Sequence, residues 1–295
     1  MSGASNELTF VSYPTVDADW GAHVAPDRSD VRFGRPQDCS RATKPSSSDC
    51  GESRHSLDIY YPVSGGSKGT IVVFHGGGFF SGDKTELAGI GPLKKQLTNG
   101  YAIVAVDYSL SDGDRRTNVF PALARDVVAA MQWVDRRGAD HDLNTSKVIA
   151  AGISAGGTLA GWAGTTANSN HRFFAGMPSI DGWISVSGIL DWDAGPNSQA
   201  WGDILHGDAF RRAHLASSPA THIDAEDPPG YLIHGDQDPI VEVDNIDMIT
   251  TAGADADLTI DIVDTDRLGR PLEHRNHTPL GSADAEALTT WLDAL

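Results

Sequence analysis

Lysine and glutamate are scarce in this chain of 295 residues: six and seven copies, against 16 arginines and 33 aspartates. Net charge is −18. A surface so short of positive charge excludes nucleic acid and anionic membrane surfaces as partners. An aspartate-rich, lysine-poor composition suits a salt-adapted protein, and equally a GC-rich genome with an acidic bias. Long apolar runs are missing too. None approaches the ~20 residues that span a bilayer, so no membrane span is expected. Residues Met1 to Phe10 lack a basic start and an apolar stretch, so no secretory signal is visible there, and a cytoplasmic location is the expectation on that ground alone. Cysteine occurs twice, at Cys39 and Cys50, in a polar Ser/Pro/Lys stretch. No histidine or further cysteine partners suggest a metal site there. We expect the two to close a small disulfide loop, worth about 3 kcal/mol in the chain-entropy model, and a bridged pair would fit export instead.

What is present is enough apolar residue, 40% of the chain, for a sizeable core. The stretch Lys147 to Leu159 organises the rest. It opens as a short apolar run, as a buried parallel strand does. It ends in small residues that begin a helix from Gly156 to about Ala167. Between lies Gly152-Ile153-Ser154-Ala155-Gly156. A strand that turns sharply into a helix at a serine needs small neighbours, and it holds the hydroxyl out at the carboxyl edge of a sheet. The pentapeptide pattern alone is weak, with roughly 0.3 chance matches in such a composition. Gly65-Gly66-Ser67-Lys68-Gly69 also fits it, but precedes a strand and reads as a turn.

Residues 1–53 read as an N-terminal extension, turn-rich apart from an edge strand at Phe10 to Tyr13. Ser56 to Pro62 alternates with period two, as a half-buried strand does. Thr70 to Phe74 and Tyr101 to Val106 are continuous apolar runs, hence central strands. A helix is expected over Gly89 to Thr98. Pro121 suits a first helical position before an apolar pattern running to Arg137. Strands follow at Trp183 to Ser187, Tyr231 to Ile233 and Leu258 to Val263, with helices near Val241 to Ala252 and from Ser282. Residues 189–228 form a long insertion, read as a small cap. Strands alternating with helices imply a mostly parallel sheet covered on both faces, in one domain spanning 1–295.

A serine hydroxyl becomes a nucleophile when a base takes its proton and a third group orients that base. Carboxylates after the Tyr231 strand are Asp236 and Asp238; histidines before the last helix are His274 and His277. His75-Gly76-Gly77-Gly78-Phe79 follows the Thr70 strand, a tetrad expected by chance only about 0.01 times here. Together with Gly152-x-Ser154-x-Gly156-Gly157 and His234-Gly-Asp-Gln-Asp238-Pro, it resembles the α/β-hydrolase fold. The match is to the esterase/lipase branch with an HGGG loop, which includes hormone-sensitive-lipase-like and acetylxylan/feruloyl-type carboxylesterases. The resemblance covers about residues 55–295. It implies Ser154 as nucleophile, Asp238 as acid and His277 as base. It also implies an oxyanion hole from the N–H groups of Gly77, Gly78 and Ala155, with Gly76 as a substitute donor. His75 would brace that loop. The sequence departs from the family around the base, Arg-Asn-His277-Thr-Pro replacing the usual Gly-His or His-Gly, which keeps His274 in view.

The implied reaction is hydrolysis of a small-molecule ester with short acyl or aryl groups, through an acyl-enzyme and without cofactor or metal. Phe79, Phe80, Trp192 and Trp201 are expected to wall the pocket. His206, His214 and His222 read as surface or packing residues. Two other readings stand beside it: an amide hydrolase resembling kynurenine formamidase, and a non-catalytic binding member of the fold. A homodimer is left open.

Overall fold

A computed structural model describes residues 25–33, 55–63, 65–89, 91–111, 118–167, 171–206, 210–235, 238–254, 260–264, 277 and 282–295. Cys39, Cys50 and the strand expected at Phe10 to Tyr13 lie outside these, as do Asp236 and His274.

An eight-stranded sheet forms the centre, in the order β1-β2-β4-β3-β5-β6-β7-β8. These strands are β1 (Arg28–Arg32), β2 (Ser56–Tyr60), β3 (Gly69–Phe74), β4 (Tyr101–Val106), β5 (Val148–Ile153), β6 (Gly182–Val186), β7 (Gly230–His234) and β8 (Ile260–Asp264). β2 runs antiparallel to both β1 and β4; from β4 to β8 every pairing is parallel. Parallel strands need crossover segments, and these place helices on both faces.

Alternation within the strands divides the core in two. Val72, Phe74, Val104, Val106 and Ala150 face α2 (Ala122–Arg137) and α3 (Ala155–Thr165), packing with Leu123, Val127, Leu159 and Trp162. Ile71, Val73, Ile103, Ala105 and Ile149 face the other way, onto Leu93 of α1 (Gly91–Lys95) and onto Leu288 and Leu292 of α7 (Ser282–Ala294). Burial on both faces is why β3, β4 and β5 are apolar throughout rather than alternating.

Four expectations need correction. β2 is buried along its whole length, not half-buried. Its polar residues Ser56 and Asp58 meet a buried cation: Lys84 Nζ lies 3.3 Å from Ser56 Oγ, 3.7 Å from Asp58, 3.2 Å from Asp107 and 2.8 Å from Asp30. Burial alone would lower the Lys84 pKa, but the bond to Asp30 and the charge of Asp107 outweigh it and hold the ammonium above its ordinary value. The helix expected over Gly89 to Thr98 is instead a 3-10 turn, Lys84–Gly89, followed by the short α1. Pro121 caps α2 from outside rather than forming its first turn. The edge strand β1 fell in a stretch read as turns.

The stretch 189–228 carries α4 (Pro196–His206) and α5 (Phe210–Ser217), and α6 (Asp244–Ala254) follows β7. His206 is buried at 1% exposure between the two. Its Nδ1 donates to Gly202 O at 2.6 Å and its Nε2 meets Ser217 Oγ, which also accepts from Trp192 Nε1 at 2.9 Å. Burial pushes the His206 pKa down to about 4. No helix among the described residues is long and apolar enough to cross a membrane.

Candidate active site

Ser154 sits between β5 and α3 with φ 54° and ψ −121°. That left-handed conformation is strained for a serine and persists only where the surroundings fix it. Its N–H donates to Val186 O at 2.8 Å, and its carbonyl accepts from Thr158 N at 3.2 Å. The glycines on either side are set by close approach. A Cβ on Gly156 would collide with the Phe74 carbonyl of β3, and one on Gly152 with the Gly156 carbonyl. The turn thus lies pressed against β3, with the hydroxyl beside the N-terminus of α3, where helix N–H groups favour negative charge.

His277 brings its Nε2 to 2.7 Å from Ser154 Oγ and its Nδ1 to 2.7 Å from Asp238 Oδ2. All three side chains are buried: Ser154 and His277 are 8% and 5% exposed, and the Asp238 side chain is 0% exposed. Asp238 follows β7. Its Oδ1 accepts from Ile240 N at 2.8 Å and Val241 N at 3.0 Å. His234 Nε2 donates to Val241 O at 3.0 Å and stands 3.4 Å from Asp238 Oδ2. Burial alone would push this carboxyl up. The hydrogen bonds from His234, His277 and the Val241 N–H win, and hold it well below the ordinary carboxylate range. An ionised carboxylate only accepts, so Nδ1 of His277 carries the proton and Nε2 is left to accept from Ser154. A hydroxyl on an imidazole on a carboxylate is the arrangement that makes serine nucleophilic.

The loop after β3 runs alongside. Gly77 and Gly78 have φ +105° and +60°, which glycine adopts without penalty. A Cβ on Gly76 would lie 3.6 Å from the Ser154 Cβ. Gly77 O accepts from Phe80 N at 3.2 Å, Ser81 N at 3.0 Å and Ser81 Oγ at 2.9 Å. Among the described residues, none accepts a hydrogen bond from the N–H of Gly77, Gly78 or Ala155. His75 lies inside the loop, its Nδ1 donating to Gly76 O at 2.7 Å and its ring stacked on Tyr108 at 4.2 Å.

Of the expected pocket walls, two are wholly enclosed and a third, Trp201, is buried at 6% exposure. Phe79 and Trp192 are 1% and 0% exposed and pack with one another in the core. Large rings there have no face free for a ligand. Phe80 is partly exposed and stacks on Trp201, whose ring lies close against Gly78. Trp201 belongs to α4 and donates its Nε1 to Ile240 O at 3.1 Å. Glu242 joins the same two elements: its carboxylate accepts from Ser198 N at 2.9 Å and Ser198 Oγ at 2.8 Å at the start of α4. No sequence motif marks Glu242 or Tyr108. Among the described residues, no group of three or more His, Cys, Asp or Glu could hold a metal ion.

Strand order, antiparallel β2 and the serine turn after β5 define an α/β-hydrolase fold. Solved structures agree. A truncated carbohydrate esterase from gut microbiota superposes with TM-score 0.73 at 20% identity, covering 92% of this chain and 98% of that one. An acetyl ester-xyloside bifunctional hydrolase from Caldicellulosiruptor lactoaceticus gives 0.70 at 17%, covering 92% and 98%. Residues 57–252, more than half of the chain, match the BD-FAE family, and the chain belongs to it. It is also similar to Esterase LipC of Mycobacterium tuberculosis, 27% identical over 196 residues, 59% of this chain and 45% of that protein. Probable carboxylic ester hydrolase LipM of the same organism is 28% identical over 216 residues, 65% and 47%. The chain thus spans less than half the length of these curated relatives.

Proposed function

We propose that the chain is a serine carboxylesterase acting on small esters. Ser154, its proton taken by His277, attacks the ester carbonyl. The tetrahedral oxyanion is held by the N–H groups of Gly77, Gly78 and Ala155, His277 returns the proton to the departing alcohol, and an acyl-Ser154 remains. Water deprotonated by the same histidine then releases the acid. Asp238 keeps the proton on His277 Nδ1 and stabilises the imidazolium. Phe80 and Trp201 border the acyl or aryl group, which favours short chains.

The observation that carries this reading is the pair of 2.7 Å bonds linking Ser154, His277 and Asp238, beside backbone donors that meet no acceptor among the described residues. Membership of BD-FAE and likeness to proteins named as esterases support it. The test is a panel of p-nitrophenyl and aryl esters of increasing acyl length, with N-formylkynurenine as an amide arm, at low and at molar salt. Short-chain esters should be turned over, and Ser154→Ala should reduce kcat to background. Undiminished turnover by Ser154→Ala would refute the proposal.

A further inference from the structure

Tyr108 follows β4 and is fully buried. Its hydroxyl reaches two successive carbonyls of the glycine loop, His75 O at 2.9 Å and Gly76 O at 3.2 Å. Among the described residues the only cis peptide is Phe120–Pro121, so the peptides of this loop are trans. In a trans peptide the C=O of one residue and the N–H of the next point in opposite directions within one plane. A hydroxyl that holds the Gly76 carbonyl therefore turns the Gly77 N–H away from Tyr108. Ser81 does the same for the next plane: its N–H and Oγ hold Gly77 O, which aims the Gly78 N–H.

We infer that Tyr108 is a positioning residue for the oxyanion donors; the inference rests on the esterase reading above. Glycine at positive φ leaves each plane of this loop free to rotate, and donors serve a developing oxyanion only if they are aimed beforehand. Tyr108 supplies that aim from outside the loop. The tyrosine is itself held rigidly. Its ring lies on His75 with 14° between planes, the preceding Asp107 accepts from Lys84 N at 2.8 Å, and Ser111 N further along the same segment donates to Phe79 O at 2.8 Å. Residues 107–111 thus flank the loop from Gly76 to Phe79.

Tyr108→Phe keeps the ring, the stack and the volume, and removes the one hydroxyl proton that the two carbonyls share. Tyr101→Phe is the control: that hydroxyl is also buried, and donates to Leu292 O at 2.8 Å on the far face of the sheet. Rates of the tyrosine variants are taken per active site titrated with an organophosphate, so unfolded protein does not count; Ser154→Ala, which has no hydroxyl to titrate, is normalised to folded protein by circular dichroism. Tyr108→Phe should lower kcat about 10- to 100-fold, less than the 10²–10³ typical for deleting a donor outright. KM for a p-nitrophenyl ester should stay within about twofold, because the aim matters when charge develops. Tyr101→Phe should leave kcat unchanged. If kcat of Tyr108→Phe lies within twofold of wild type, or falls no further than that of Tyr101→Phe, the inference is wrong. Ser154→Ala in parallel separates the two claims. If it is inactive while Tyr108→Phe is unimpaired, only the clamp falls; if it is active, the esterase reading falls first.

Discussion

Replacing Asp238 by asparagine tests the proposed relay most sharply, because the structure dictates which way the amide must sit. Oδ1 accepts from two backbone N–H groups, Ile240 and Val241. An NH2 there would face two donors, so the asparagine oxygen takes that place. The NH2 then occupies the Oδ2 position, 2.7 Å from His277 Nδ1. A donor facing Nδ1–H is repulsive, and the imidazole relieves it by moving its proton to Nε2. That nitrogen now points a hydrogen at Ser154 Oγ and can no longer take one. In well-characterised triads the same exchange costs about 10⁴ in kcat, which is about 5 kcal/mol at 1.36 kcal/mol per decade. Here the packing is unchanged and the Asn amide satisfies the same backbone donors. We therefore expect a loss of about 10⁴ in kcat for a p-nitrophenyl ester, with a thermal midpoint near that of the wild type. A kcat within tenfold of wild type in folded protein would show that the tautomer argument is mistaken.

Two further outcomes concern stability. His206 is held neutral by burial, with its pKa pushed to about 4 from an ordinary 6.5. The unfolded chain takes up this proton first, so stability is full above about pH 6.5 and falls by about 1.4 kcal/mol per unit as pH drops to about 4. The total is about 3 kcal/mol, read from denaturant midpoints at stepped pH; a His206→Gln variant should flatten that part of the profile, and an unchanged slope would contradict it. Lys84→Ala leaves Asp58 and Asp107, both buried, without their cation. Removing one partner of a buried ion pair costs about 3–5 kcal/mol, and a midpoint shift worth under 1 kcal/mol would show that the carboxylates are solvated after all.

The sequence was most legible where one physical cause acted alone. Tyr101–Val106 is apolar because both its faces are covered, and its span was readable to the residue. The serine turn was legible because the close approach of Gly152 and Gly156 to neighbouring backbone leaves no room for side chains. Reading failed where a partner distant in the chain decides the outcome. β1 has mostly exposed side chains and is a strand only because β2 offers it an edge. Alternation in β2 mimicked a solvent face, since Ser56 and Asp58 turn towards Lys84 from 26 or more positions away. Phe79 and Trp192 looked like pocket residues and are core, because aromatic identity does not say which face is open. Tyr108 acts through a hydroxyl that reaches back 32 positions to Gly76, and nothing in its neighbours marks that reach.

The clasp between Glu242 and the first turn of α4 ties two regions to one foundation. The helix that carries Trp201 and the loop that carries Asp238 cannot be displaced independently: swinging α4 outward would drag on Ser198, on Glu242 and so on the backbone four residues from Asp238. Engineering a roomier site by tilting that helix would therefore loosen the carboxylate along with the wall. Trimming side chains at Trp201 or Phe80, with the clasp left whole, is the route that keeps the two apart.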